Sequence, residues 1–253
     1  MKSFIDRLIR NPISFEITSI FVYLFYCLVF ALAAIPSVLL VRWGTRFLGG
    51  SVFFLSMFTL VIFVAFYVFM VFCAVVVGSI ERLLTLGFKP GAYPPGSPVF
   101  FRWLIYSGLH LWTVNLVLPF LRGNNWIKIY LRITGAKVGK EVFINTKDFY
   151  DPYLMRIEDN VIIGGEAYLN AHIFEDGHLI LGEILLGEGT YVGAKAYLTP
   201  GTRTGKNSRI GMHTYLRRNT DVPDGECLIT SPGMSRRQVI RLMRMKEKTS
   251  VGS

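Results

Sequence analysis

From residue 138 onward apolar side chains recur every six residues, and few folds can use that period. The positions are Val138 and Ile144, then Ile157, Ile163 and Leu169, then Leu186, Val192, Leu198, Thr204, Ile210, Leu216 and Val222. Eleven of the twelve are aliphatic, so the register is not an accident of composition. A β-sandwich alternates with period two, and an amphipathic helix repeats every 3.6 residues. A parallel β-helix holds a period of six: each hexad is one short strand plus one corner, its apolar side chain pointing into a triangular core. Three hexads make one coil, so residues 138–225 supply roughly four coils. Gly139, Gly164, Gly187, Gly193, Gly205 and Gly211 directly follow the apolar position, and Asn145 and Asn170 take that place twice. Both residue types are expected there because they tolerate tight corner geometry.

Two segments break the register. Tyr150 to Arg156 inserts one residue between Ile144 and Ile157, and Glu175 to Leu185 makes a longer break between Leu169 and Leu186. In a solenoid such insertions emerge as loops on one face, often at a binding site.

The first half of the chain is different. Only 17% of all residues are charged, and Thr18 to Val41 and Phe47 to Ile80 contain no charged side chain. Each run exceeds the roughly 20 apolar residues that cross a ~30 Å hydrocarbon core. A signal peptide has a shorter apolar stretch, so two transmembrane helices are expected. Pro36 marks a kink or a stop in the first, and Arg42 to Arg46 form the connecting loop. The second, about 51 Å long as a helix, must tilt or extend beyond the bilayer. Lys/Arg flanking the spans favours both termini, and the solenoid, in the cytoplasm.

The net charge of +10 suggests nucleic acid until it is located. Residues 131–233 hold 11 Lys/Arg against 13 Asp/Glu, whereas residues 234–253 hold 6 against 1. An excess confined to the membrane flanks and the tail suits anionic lipid rather than nucleic acid. Arg236 to Lys248 reads as a basic amphipathic helix for a membrane surface or a carrier protein. Cys27 and Cys73 fall in the spans and Cys227 stands alone, so neither a disulfide framework nor a zinc spacing is available.

The expected domains are therefore 1–86 with two spans, 87–130 as linker and interfacial helices, 131–233 as the β-helix, and 234–253 as the basic tail. Residues 87–98 carry three Gly and four Pro, too many for a helix or strand. Phe100 to Leu121 is apolar enough for a third span, but Arg102, His110 and Pro119 interrupt it, and the preferred reading is one or two helices in the membrane interface, with Trp103, Tyr106, Trp112 and Trp126 at headgroup depth.

The hexads resemble the left-handed β-helix acyltransferases. A closer resemblance is to the C-terminal membrane and hexapeptide region of ε-poly-lysine-synthetase-type nonribosomal peptide synthetases and related stand-alone proteins. It rests on Phe101-Arg102-Trp103, Leu121-Arg122-Gly123, Tyr130 through Gly139, His172 through Asp176, and Leu186 through Gly193, and spans about residues 95–225. The resemblance implies a left-handed coil, a homotrimer, and acyl transfer to an amine or hydroxyl. The family usually ends in Gly-x-Pro-Ala near coenzyme A, whereas this chain has Thr230-Ser-Pro-Gly-Met. The donor is therefore a coenzyme A thioester or an acyl or aminoacyl carrier thioester.

Acyl transfer needs a general base and donors to the tetrahedral oxyanion. His172 is the expected base, at the root of the longer break, with Glu175 or Asp176 orienting its ring. His178, in the loop, is a candidate for substrate binding and the second choice of base; His213 lies in a later coil and His110 in the juxtamembrane stretch. Asn170, two residues before His172, would point the same way on a strand and could donate to an oxyanion. Asp148, Asp151 and Glu158 surround the first break, and Asp148 and Asp151 are candidates for binding an amine acceptor. No metal is expected. His172, His178 and His213 also invite comparison with the γ-class carbonic anhydrases, but they lack that family's His-x4-His pair. A different class of function is a non-catalytic trimeric scaffold, which has no need of histidine and acid at the root of the break.

Overall fold

The computed structural model describes residues 12–47 and 52–229. The described residues form two compact units: those within 12–88, 94–121 and 125–134 in one, and those within 89–93, 122–124 and 135–229 in the other. The basic segment Arg236–Lys248 lies outside the described residues.

The first unit is helical. Helices α1 (Pro12–Gly44) and α2 (Val52–Thr85) are the two long apolar runs, and both are long and apolar enough to cross a membrane. Most of their surface is bare hydrocarbon: Phe21, Leu28 and Val38 on α1 and Leu60 and Phe63 on α2 are exposed. Pro36 does not stop α1, which continues for two more turns to Gly44 and a 3₁₀ turn at Thr45–Phe47.

Helix α3 (Pro98–Leu116) starts as its sequence dictates. Ser97 caps it by accepting from the Phe100 amide at 3.2 Å, and Pro98 sits in the first turn, where its missing N–H is no loss. Trp103 and Tyr106 are buried within the protein. Arg102 explains part of this. Its guanidinium donates to the Leu83 and Leu86 carbonyls at the end of α2, at 3.3 and 3.0 Å, and lies 4.9 Å over the Phe88 ring. A cation at a helix C-terminus satisfies orphan carbonyls and the helix dipole together.

After the short α4 (Leu118–Leu121), α5 (Asn125–Ile133) completes a polar centre inside the helices. The Glu81 carboxylate is fully buried. It accepts from the Thr113 hydroxyl at 2.9 Å and the Tyr130 hydroxyl at 2.5 Å, with His110 Nδ1 at 3.3 Å. Burial first, and then the Glu81 charge, push the Tyr130 phenol well up, so it stays a donor. A buried carboxylate is tolerable only with such a donor set.

The second unit is a parallel β-helix. Its first sheet stacks Lys137–Val138, Met155–Ile157, Ile184–Leu186, Arg203–Thr204 and Asp221–Val222. The second stacks Phe143–Ile144, Ile162–Ile163, Tyr191–Val192, Arg209–Ile210 and Cys227–Leu228. The third stacks Phe149–Tyr150, Tyr168–Asn170, Tyr197–Leu198 and Tyr215–Leu216. All rungs pair in parallel, giving four full coils and two sides of a fifth. Ile144, Ile163, Val192, Ile210 and Leu228 form one inward column, each at most 2% exposed.

Two details differ from the hexad reading. In the first coil Phe149 fills the third core position and Tyr150 faces out, so the chain reaches that corner one residue early. The repeat glycines are also needed for a different reason. None of Gly139, Gly164, Gly187, Gly193, Gly205 and Gly211 has a positive φ; the residue two places on does, as at Lys195 (φ 57°) and Asn207 (φ 54°). What excludes a side chain at Gly193 is the next coil: a Cβ would lie 2.6 Å from the Met212 amide nitrogen. Thr204, the one polar register residue, bonds the Gly187 amide at 3.1 Å and Thr190 Oγ1 at 3.0 Å, so its core position leaves no unmet hydroxyl.

The longer break is a β-hairpin. Strand β2 (His172–Glu175) and strand β3 (His178–Leu181) pair antiparallel around Asp176-Gly177, whose φ values of 49° and 71° are those of a type I′ turn. A third strand, β1 (Gly91–Tyr93), adds to β3 antiparallel. The Gly- and Pro-rich linker therefore does form a strand. Its pairing partner is the outer strand of the hairpin, and Pro90 and Pro94 flank the strand without interrupting it.

Candidate active site

The two register breaks fall at the same corner of successive coils, between the third sheet and the first. Stacking one coil on the next therefore brings them together. In the first break Asp151 adopts a left-handed conformation (φ 60°, ψ 54°), and Pro152 then opens a 3₁₀ turn. This turns the Asp151 carboxylate inward, where it is 1% exposed. In the second break the His172 ring stands at the root of the hairpin, fixed by the Ala171 amide bonding to the Tyr150 carbonyl at 3.1 Å and the Gly182 amide to the Ala171 carbonyl at 2.9 Å.

Asp151 Oδ2 lies 2.5 Å from His172 Nδ1, and the Tyr153 hydroxyl donates to Asp151 Oδ1 at 2.8 Å. The edge of the His172 ring meets Tyr150, centroids 6.5 Å apart. With the carboxylate accepting from Nδ1–H, the ring's basic lone pair lies on Nε2, and the side chain keeps 21% of its surface open. A partly open imidazole oriented by a buried carboxylate is the arrangement a general base requires.

The carboxylate on the ring is thus Asp151, whereas Glu175 and Asp176 stand elsewhere. Each strand residue advances about 3.3 Å, so the hairpin carries both away from the ring. Glu175 pairs with Arg218 at 2.5 Å, and Asp176 occupies the turn, its carbonyl 2.9 Å from His178 Nδ1. His178 and His213 are exposed, His213 at a corner with φ 55°. Asp148 bonds Lys147 Nζ at 3.1 Å, and Glu158 pairs with Arg156 at 3.3 Å and accepts from the Glu188 amide at 3.2 Å. Asn170 is close to His172: its Oδ1 accepts from the His172 amide at 3.4 Å, and its Nδ2 donates to the Tyr197 hydroxyl at 3.4 Å. Among the described residues no group of three or more His, Cys, Asp and Glu is arranged to hold a metal ion.

Tyr150, Tyr168, Tyr197 and Tyr215 stack up the third sheet with centroids 4.6, 4.6 and 5.4 Å apart, leading away from His172 along the coil axis. Burial, and then the hydrogen bond to Tyr150, push the Tyr168 phenol up; burial also raises Tyr197 against the opposing effect of Asn170. The signal was present in the sequence as Tyr-Leu at 168–169, 197–198 and 215–216, each at the third corner of its coil.

The fold is a parallel β-helix built on hexapeptide repeats. Within it, the sequence is homologous to part of the δ-poly-L-ornithine synthetase of Acinetobacter baumannii (strain AB307-0294), with 35% identity over 150 residues, 58% of this chain and 11% of that protein. YvoF of Bacillus subtilis (strain 168), which carries a provisional acetyltransferase name, is 29% identical over 108 residues, 42% of this chain and 62% of that one. The chain thus spans less than two thirds of either relative. No protein-family model matches. Among solved structures, a hexapeptide-repeat acetyltransferase of Vibrio cholerae O1 biovar eltor complexed with acetyl coenzyme A aligns with 62% of this chain and 98% of its own, at TM-score 0.44 and 15% identity.

Proposed function

We propose that the protein is a membrane-anchored acyltransferase that moves an acyl or aminoacyl group from a thioester to an amine or hydroxyl on a membrane-associated acceptor. The observation that carries this reading is the His172–Asp151 pair at the meeting of the two register breaks. The related synthetase and acetyltransferase support it. In the reaction, His172 Nε2 removes the acceptor proton as the nucleophile attacks the thioester carbonyl. Asp151 holds the tautomer and faces the imidazolium that forms. The tetrahedral intermediate collapses with loss of the C–S bond, and the proton passes from His172 to the departing thiolate. The donor is coenzyme A thioester or a carrier-bound thioester; a coenzyme A complex among the similar structures suits the first.

The working form is a homotrimer. On the second sheet Phe143, Ile162 and Tyr191 form an outward column that is 51%, 42% and 45% exposed, a stripe a second copy would cover. The helical hairpin is embedded in the membrane, with its exposed apolar side chains facing lipid and the β-helix in the cytoplasm.

The test is transfer of label from radiolabelled acetyl coenzyme A to lipid and peptide fractions of membranes from expressing cells. Wild-type chain should label a fraction that His172→Ala leaves unlabelled while its melting temperature is unchanged. Equal labelling by both would overturn the assignment, and no labelling from any thioester donor would favour the scaffold.

A further inference from the structure

We infer that the loop end of the α1–α2 hairpin holds one anionic glycerophospholipid between the two helices. A cavity of about 580 Å³ opens there, its walls including Ser37, Val41, Arg42 and Thr45 of α1 and the adjoining turn and Ile62 and Phe66 of α2. Its chemistry is graded. Arg42 and Thr45 stand at the end nearest the loop, and the rest of the lining is almost entirely hydrocarbon. Ser37 lies deeper, only 8% exposed, and its Oγ has no hydrogen-bond partner among the described residues. The Thr45 hydroxyl, by contrast, already donates to the Arg42 carbonyl at 2.8 Å.

An unmet hydroxyl in apolar surroundings is costly, and at membrane depth no water is at hand to relieve it. The site therefore calls for an acceptor at Ser37, an anion at Arg42 and a chain along Ile62 and Phe66. Ser37 and Arg42 are five residues apart on one helix, a rise of about 7.5 Å. That is of the order of the separation between the phosphate and an ester carbonyl in a glycerophospholipid. A soluble anion would leave the apolar walls bare, and a hydrocarbon chain alone would leave Ser37 and Arg42 without partners.

This site rests on the membrane embedding proposed above. The test uses the full chain, purified in mild detergent, stripped of lipid and offered equal phosphatidylglycerol and phosphatidylcholine in native mass spectrometry. One phosphatidylglycerol per chain should be retained in preference to phosphatidylcholine. Arg42→Gln should weaken that retention about fivefold, and Ser37→Ala about threefold. Arg46→Gln, one turn on and outside the cavity lining, should leave it unchanged. Elution volume and circular dichroism identify any variant that fails to fold. Equal losses in Arg42→Gln and Arg46→Gln would mean diffuse charge attraction and overturn the site. Equal retention by all variants would mean annular lipid only, and also overturn it. Alkaline carbonate distinguishes the premise: if it strips the wild-type chain from membranes, the embedding fails; if the chain stays and the variants bind alike, only the site fails.

Discussion

Asp151 Oδ2 and His172 Nδ1 meet at 2.5 Å although 21 residues separate them in the chain. The contact exists because each residue sits in a register break and the two breaks stack. Asp151→Asn keeps the shape but can present an N–H to Nδ1, which favours the wrong tautomer of the imidazole. Turnover should fall by about 10²–10⁴-fold, with donor KM little changed and melting temperature preserved. Glu175→Gln removes only an exposed ion pair with Arg218 and should cost less than about 1 kcal/mol of stability.

The coil spacing makes a paired prediction. Gly193→Ala drives a Cβ to 2.6 Å from the Met212 amide, so the coils must part, at a cost of about 1–3 kcal/mol. Lys195→Gly, two residues on, relieves a left-handed φ of 57° and should cost nothing or stabilise by up to about 1 kcal/mol. Urea unfolding followed by circular dichroism separates the two. A Gly193→Ala variant as stable as the wild-type chain would mean that contact with the next coil does not select glycine at this corner.

The helical unit is tested at Tyr130. Its hydroxyl donates to the buried Glu81 carboxylate, which Thr113 also serves. Tyr130→Phe leaves the ring packing intact and removes a charge-assisted donor, so thermal unfolding in detergent should show a loss of about 1.5–3 kcal/mol. An unchanged transition would mean that the polar centre contributes no stability.

Alkaline titration tests the tyrosine column. Tyr168 and Tyr197 are held above the ordinary phenol value of 10.0, chiefly by burial. Groups raised on folding contribute stability that is fully present below the unfolded value and is lost as pH rises towards the folded one. Solenoid stability should therefore be flat up to about pH 9.5 and fall beyond it. Tyr168→Phe should soften that fall, as read from urea midpoints across pH.

The coils were legible because burial on three sides leaves the period of six no alternative, and the inward columns contain the expected residues except at Phe149, which takes the place the register gives to Tyr150. The site was legible only in part. His172 could be singled out from its place beside a break, but its partner could not: Asp151 reaches it across coils, whereas Glu175 and Asp176 are near only along the chain. Deciding between them requires knowing that both breaks turn the same corner, which depends on Phe149 rather than Tyr150 taking the core position. The hairpin could have been read from Asp176-Gly177 between alternating residues. Strand β1 could not, since its sequence favours no strand and its pairing is entirely long-range.

The central claim is that His172 and Asp151 act as one unit in acyl transfer, and a double-mutant cycle on turnover tests it most directly. His172→Ala, Asp151→Ala and the double variant are compared with the wild-type chain, using acetyl coenzyme A and the labelled membrane fraction. Residues that work as a unit are strongly non-additive. The double variant should be no slower than His172→Ala alone, with all three at least about 10²-fold below wild type. Wild-type turnover in His172→Ala, or losses that simply multiply in the double variant, would contradict the account.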